Sequence, residues 1–166
     1  MAKILIPLNQ SEVSREIIPS VESLFAPQDN TLILFYITNP PGTAGFGEPD
    51  LSAGYVPMPG DESVAPTLHP IYQSQQEDSI RAHVHAELAP LTKRLEASGY
   101  KVKVRVGFDK DPVAAIARLH INHSFDLIAM STVGRVGMTR FFFRNIADTL
   151  AQQEQIPVML VHPPAS

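Results

Sequence analysis

Short apolar runs alternate with amphipathic stretches along this chain. Five of the runs read as strands: 3–7 (KILIP), 31–37 (TLILFYI), 102–106 (VKVRV), 126–130 (DLIAM) and 157–161 (PVMLV). Four of them are nearly continuous in Ile, Leu, Val, Met or Phe, the pattern of strands covered on both faces. VKVRV alternates instead, which predicts a more exposed face or a place near a sheet edge. Helical periodicity fills the gaps. The stretch 11–25 opens on Ser11, a good N-cap residue, and repeats Val13, Ile17, Val21 and Leu24 at helical spacing. Pro19 is expected to kink it. The stretch 74–98 presents Ile80, Val84, Leu88, Leu91 and Leu95 on one face, with a bend expected at Pro90 and a stop at Gly99. Asp111-Pro112, an N-cap residue followed by proline at the first helical position, opens a helix over 113–121. A last helix is predicted over 146–153.

Strands that alternate with helices imply a parallel sheet with right-handed crossovers. Ligands of such sheets bind outside the carboxyl ends of the strands, where the strand order reverses. The loops that matter are therefore 7–11, 37 onward, 107–111 and 131–137. One segment departs from the alternation. Residues 39–70 hold seven prolines and five glycines, which no regular element accommodates. An insertion of this length, about 39–72 at its widest, predicts either a lid or a disordered loop beside the ligand crevice.

Composition narrows the class. A chain of 166 residues with 44% hydrophobic and 18% charged residues is expected to form one globular domain over 1–166. The absence of cysteine excludes disulfides, thiolate metal sites and cysteine nucleophiles. No apolar run is long enough to span a bilayer. The opening MAKILIPLN does not read as a signal peptide, and a cytoplasmic location is expected. A net charge of −4 argues against bulk nucleic-acid binding.

The richest stretch for chemistry is DLIAMSTVGRVGMTRFFFRNIA, 126–147. A buried strand runs through a glycine-containing loop into a helical segment. Such a loop and helix start direct backbone N–H groups at one point and favour an anion. Arg135, Arg140 and Arg144 add positive charge there, either to draw an anion or as solvated surface groups. Phe141-Phe142-Phe143 reads as packing or dimer contact, because three adjacent helical side chains point in different directions.

These segments together resemble the universal stress protein family. KILIPLNQSEVS is similar to the family's opening strand and turn. VKVRVGFDKDPVAAIARLHINHSFDLIAMSTVGRVGMTR is similar to its second half, and PVMLV to its closing strand. The resemblance covers nearly the whole chain apart from the proline-rich insertion. It implies an open five-stranded parallel sheet with helices on both faces, Rossmann-like and of the adenine nucleotide alpha hydrolase-like type, with strand order 3-2-1-4-5. It also implies an adenine nucleotide (ATP, ADP or AMP) bound as a regulatory ligand, with Mg2+ only if a polyphosphate is bound. The family's phosphate loop has a glycine, two residues, a second glycine, nine residues, then Gly-Ser or Gly-Thr. Met130 and Gly134 match that pattern here, while Ser131 stands where the first glycine belongs. Nine residues after Gly134, Arg144-Asn145 replaces the closing pair, followed by Ile146. Pro7 matches the residue before the nucleoside-contacting pair, Leu8-Asn9, in which Asn9 replaces an acid. Ile37 fits the position that touches adenine, and Arg135 and Gly137 lie within the loop.

Each departure has a physical meaning. Ser131 adds a Cβ where glycine would let a phosphate approach, but it brings a hydroxyl. Arg144 either fills the phosphate pocket or grips phosphate with its guanidinium. Asn9 keeps hydrogen-bonding capacity without charge. Two outcomes stand: a nucleotide-binding regulator, or a nucleotide-free dimeric interaction protein with a vestigial pocket. The strand 157–161 (Pro157, Val158, Met159, Leu160, Val161) would be an apolar edge in a monomer. The resemblance implies that it pairs across a two-fold axis in a homodimer, with a further protein partner unidentified.

The remaining titratable residues point elsewhere. His83 and His85, two apart on a helix, do not share a face and make a poor metal pair. His120 and His123 read as surface or helix-end residues, and Asp109 and Asp111 as turn and capping groups. No nucleophile or general-base constellation stands out, so the protein is expected not to be an enzyme, or at most a slow, incidental nucleotide hydrolase.

Overall fold

A computed structural model describes residues 1–10, 12–41, 70–131 and 137–161; of 12–13, 70–72 and 137–144 it describes the backbone alone. Five parallel strands form one sheet: β1 (Ala2–Leu8), β2 (Asn30–Thr38), β3 (Lys101–Phe108), β4 (Leu127–Ser131) and β5 (Val158–Val161). Their order is β3-β2-β1-β4-β5, as the resemblance implies. Residue alternation along the strands builds two cores. Ile4, Ile6, Leu8, Leu32, Leu34, Tyr36 and Ala129 face one side, whereas Leu5, Ile33, Phe35, Ile128 and Met130 face the other. Helices cover both sides, which is why the central strands read as unbroken apolar runs.

The alternating strand is β3, and it lies at the sheet edge. Val102, Val104 and Val106 pack against the first core, and Lys101, Lys103 and Arg105 are exposed. The other edge is β5, where Pro157 precedes the strand and Leu160 is 37% exposed.

Among the described residues, four α-helices flank the sheet: α1 (Ile18–Leu24), α2 (Pro70–Ala97), α3 (Pro112–His123) and α4 (Gly137–Gln152). Three of them differ from expectation. The first predicted helix divides into a 3-10 helix, Glu12–Ile17, and α1. Pro19 kinks nothing, because it falls in the first turn of α1, where its missing N–H costs no helical bond. The 3-10 turn also changes the phase of the apolar stripe. Ile17, Ile18 and Val21 are buried, but Leu24 is 62% exposed. Ser11 lies outside the described residues.

Helix α2 starts at Pro70, four residues before the predicted Ser74, which trims the insertion. It runs through Pro90, held by Val84, Leu88 and Leu95, all buried against the sheet. Gly99 ends it with φ +102°. The Tyr100 N–H donates to the Leu95 carbonyl at 3.1 Å and the Gly99 N–H to that of Glu96 at 2.9 Å, the paired bonds of a Schellman cap. The Tyr100 hydroxyl donates to the Phe25 carbonyl at 2.6 Å. Arg94 forks onto Glu22 at 2.8 and 3.2 Å, and Arg15 pairs with Glu87.

The third difference concerns α4, which begins at Gly137 rather than near Ile146. From Met138 to Ala147 the sequence holds neither glycine nor proline to stop a helix. Residues 42–69, whose role as lid or disordered loop was at issue, fall outside the described residues.

Candidate functional site

The carboxyl ends of β1, β2 and β4 open into a cavity of about 400 Å³. Small-molecule sites typically occupy about 300–1,000 Å³. Its position follows from topology. β1 connects toward β2 on one side, while β4 lies on its other side, so the strand order reverses there. Pro7, Leu8 and Asn9 line it from the end of β1, Ile37 from β2, Met130 from β4 and Ile146 from α4. These six residues, far apart in sequence, are brought to one place.

Other candidates are not brought to this wall. Ser131 is buried at the end of β4, beside Val161 of β5, and does not line the cavity. Asn145 is exposed on α4. Gly137 begins α4, and Arg144 lies in its backbone; the Arg144 side chain, Gly134 and Arg135 lie outside the described residues. The helical course of 137–152 corrects one expectation. Backbone N–H groups at 144 and 145 are interior to a helix and committed to carbonyls four residues back. The donors a helix leaves open are its first four, here 137–140, so the anion-favouring point moves toward Gly137.

Residues overlooked in the sequence complete the cavity: Gln10, Thr38, Asn39, Asp109, Lys110, Pro112 and Ile116. Most lie in the loops singled out at strand ends, but no motif marked them. The loop after β3 is tightly built. The Asp109 N–H donates to the Thr38 carbonyl at 3.0 Å, and the Asp109 carboxylate accepts the Asp111 N–H at 2.9 Å. Arg118 of α3 pairs with that carboxylate. Asp111 in turn caps α3, accepting from Val113 at 3.0 Å and Ala114 at 3.4 Å. Both aspartates thus do turn and capping work, as their spacing predicts. With Asp109 engaged, Lys110 is the cavity's cation without a carboxylate within 4.0 Å among the described residues. The Asn9 N–H donates to the Ser14 hydroxyl at 3.2 Å, fixing the turn after β1.

The walls are chemically divided. Leu8, Ile37, Ile116, Met130 and Ile146 form an apolar slot, and Asn9, Gln10, Thr38, Asn39, Lys110 and the Arg118-paired Asp109 form a polar rim. Walls of this kind have the chemistry to take a flat apolar-faced group with a polar, anionic tail. A neighbouring crevice on the opposite sheet face is lined by Tyr36, His83 and Glu87. There burial, helped by the Glu87 charge and opposed by Arg15, pushes the Tyr36 hydroxyl above its usual 10.0.

Among the described histidines, His83, His85 and His123 are exposed and His120 is half-buried at the end of α3. His120 Nδ1 accepts the Phe125 N–H at 3.3 Å and its ring stacks obliquely on Phe125. Among the described residues no cluster of three or more His, Asp or Glu forms a metal site, and no helix is long and apolar enough to cross a membrane.

Known proteins share this architecture. The chain is similar to the universal stress protein UspA from Lactobacillus plantarum, with 15% identity, a TM-score of 0.64, and 96% of this chain and 97% of that one covered. It is also similar to a universal stress protein family protein from Arabidopsis thaliana with AMP bound, with 12% identity, a TM-score of 0.60, and 99% and 94% covered. A universal stress protein in complex with cAMP matches at 15% identity and a TM-score of 0.58, with 98% of both chains covered. Identities this low establish the fold. No curated protein matches. The family model for the universal stress protein family matches residues 1–162. With nearly the whole chain matched and the sheet order agreeing, the protein belongs to the universal stress protein family.

Proposed function

We propose that the protein binds an adenine nucleotide as a regulatory ligand in the crevice at the carboxyl ends of β1, β2 and β4. The observation that carries this reading is the convergence of Pro7, Leu8, Asn9, Ile37, Met130 and Ile146 on one cavity of about 400 Å³. The base lies in the slot between Ile37, Ile116, Met130 and Ile146. The ribose meets Asn9, and the phosphate lies toward Lys110 and the start of α4, where open N–H groups and the helix dipole favour negative charge. The AMP- and cAMP-bound relatives support a compact adenine ligand. Mg2+ accompanies the nucleotide only if a polyphosphate binds. The ligand is not turned over; phosphate release above a no-protein control would contradict that part.

The protein works as a homodimer through β5. Support comes from the edge position of Val158–Val161 and the exposure of Leu160, since an apolar edge in water invites pairing. Sedimentation at micromolar concentration tests it, and a monomer would refute it.

A second reading, a nucleotide-free interaction protein, gains from Arg144 and Asn145 lying inside α4. The change Arg144→Gly separates the roles. If Arg144 blocks the phosphate position, the variant gains ATP affinity; if it grips phosphate, the variant loses affinity. Thermal shift with AMP, ADP, ATP and cAMP tests the reading as a whole, and no shift with any of them would overturn it.

A further inference from the structure

The amino-terminal end of the sheet holds a cluster that the nucleotide reading leaves unused. On the face shared by Leu5 and Ile33, a cavity of about 90 Å³ is lined by Lys3 of β1, Lys103 and Arg105 of β3, and His123 of α3. Thr31, Ile33 and Leu119 form its floor. Register explains the convergence. Lys3 lies beside Thr31, and Lys103 beside Ile33. β1 and β3 flank β2, and Lys103 and Arg105 lie two and four residues beyond the level of Lys3, so their Cα atoms stand roughly 12 and 16 Å from that of Lys3, at roughly 4.8 Å per strand and 3.3 Å per residue. Two long side chains can close on a small group between them.

What sets these cations apart is their convergence on one cavity rather than the lack of a partner, which, among the described residues, Lys93, Lys101 and Lys110 share. Arg15, Arg81, Arg94 and Arg118 each pair with a carboxylate. Among the described residues, Lys3, Lys103 and Arg105 have none within 4.0 Å. The Asp126 carboxylate accepts the Lys3 backbone N–H at 2.7 Å. Charge on an edge strand discourages strand pairing, which explains Lys103 and Arg105. It does not explain Lys3 on the central strand or His123 on the helix above it. α3 ends at His123, so the helix presents carbonyls here and its dipole offers an anion no help. Any anion is held by side chains alone.

We infer that this cluster is a second, separate anion site, which takes a small, multiply charged phosphate anion from solution. The cavity equals about three waters at roughly 30 Å³ each, room for one phosphoryl group with a second projecting outward. Guanidinium forks match phosphate oxygens in pairs, and the lysines add point charge.

Calorimetric titration of the full chain with pyrophosphate, against sodium chloride of matched ionic strength, tests the inference. Saturable binding of one pyrophosphate per chain is expected, weakened at least tenfold in the Lys103→Gln/Arg105→Gln double variant. Both positions are exposed, and circular dichroism checks that the fold survives. Ile37→Trp, which fills the distant nucleotide cavity, should leave pyrophosphate affinity unchanged. Absence of saturable binding, equal binding by the double variant, or loss of binding in Ile37→Trp would each overturn the inference. Because the site lies at the opposite strand ends, absence of saturable binding or equal binding by the double variant leaves the nucleotide reading untouched, whereas loss in Ile37→Trp would assign the pyrophosphate to the nucleotide cavity.

Discussion

Replacing Gly107 with alanine should destabilise the protein by pushing on one aromatic ring. A Cβ at Gly107 would lie 2.6 Å from Cζ and 2.8 Å from Cε2 of Phe35. Those distances are well inside van der Waals contact, about 3.5–4.0 Å between carbons. Phe35 is 4% exposed and packs in the core that includes Ile116, Met130 and Ile146, so its ring has no solvent to swing into. Overpacking of this kind costs about 1–3 kcal/mol. Gly→Ala at a compatible backbone position returns about 0.4–1 kcal/mol by restricting the unfolded chain. The net loss is therefore centred near 1.3 kcal/mol, which lowers the Tm by roughly 3–5 °C in a domain of this size. The sharper expectation is a change of sign. In a Phe35→Leu background the clash disappears, and Gly107→Ala becomes neutral to stabilising. Urea unfolding of the four proteins gives the coupling energy, expected at about 1–3 kcal/mol. A coupling near zero, with the same cost in both backgrounds, would refute the argument that Phe35 makes position 107 a glycine.

Two further outcomes follow from named contacts. Asp111→Ala removes the acceptor for Val113 and Ala114 and should cost about 0.5–2 kcal/mol in urea unfolding, whereas Asp111→Asn should retain most of the stability; equal losses would contradict the capping role. Tyr36 and Tyr100 are both buried, and burial first, then Glu87 or Glu22, raises their hydroxyls above 10.0. The folded state thus holds protons the unfolded state releases, so this stability is intact below pH 10.0 and lost as pH rises through the folded values. Absorbance titration of the four tyrosines should show two deprotonating late, together with unfolding; four simultaneous, reversible titrations near the ordinary value would rule this out.

The parts legible in the sequence were those where local pattern and tertiary environment agree. Continuous apolar runs marked β1, β2 and β4 because both sheet faces are covered, and alternation in VKVRV marked β3 as an edge because its outer positions meet water. Asp111-Pro112 and Gly99 marked helix ends because capping chemistry is local. The misjudged features depend on longer context. Pro19 looked like a kink because periodicity alone does not show that the chain is 3-10 before it and α after it. The helix-like segment after Gly137 and the helix over 146–153 are one helix, α4, because no glycine or proline separates them. In the site, residues on strand ends were found through topology and resemblance. Lys110, Thr38 and Ile116 carry no signal of their own; they reach the cavity only because β2 and β3 end side by side, joined by the bond from Asp109 to Thr38.

The central claim is that the cavity at the carboxyl ends of β1, β2 and β4 holds an adenine nucleotide. Thermal unfolding of the purified protein with AMP, alone and in the Ile37→Trp variant, tests it most directly. At AMP one hundred times above its Kd, binding should add about 2.7 kcal/mol, a Tm rise of roughly 5–11 °C for this chain length. The rise should vanish in Ile37→Trp, whose indole fills the slot. An unchanged Tm in the unaltered protein at millimolar AMP, ADP and ATP, or an equal rise in the variant, would contradict the claim.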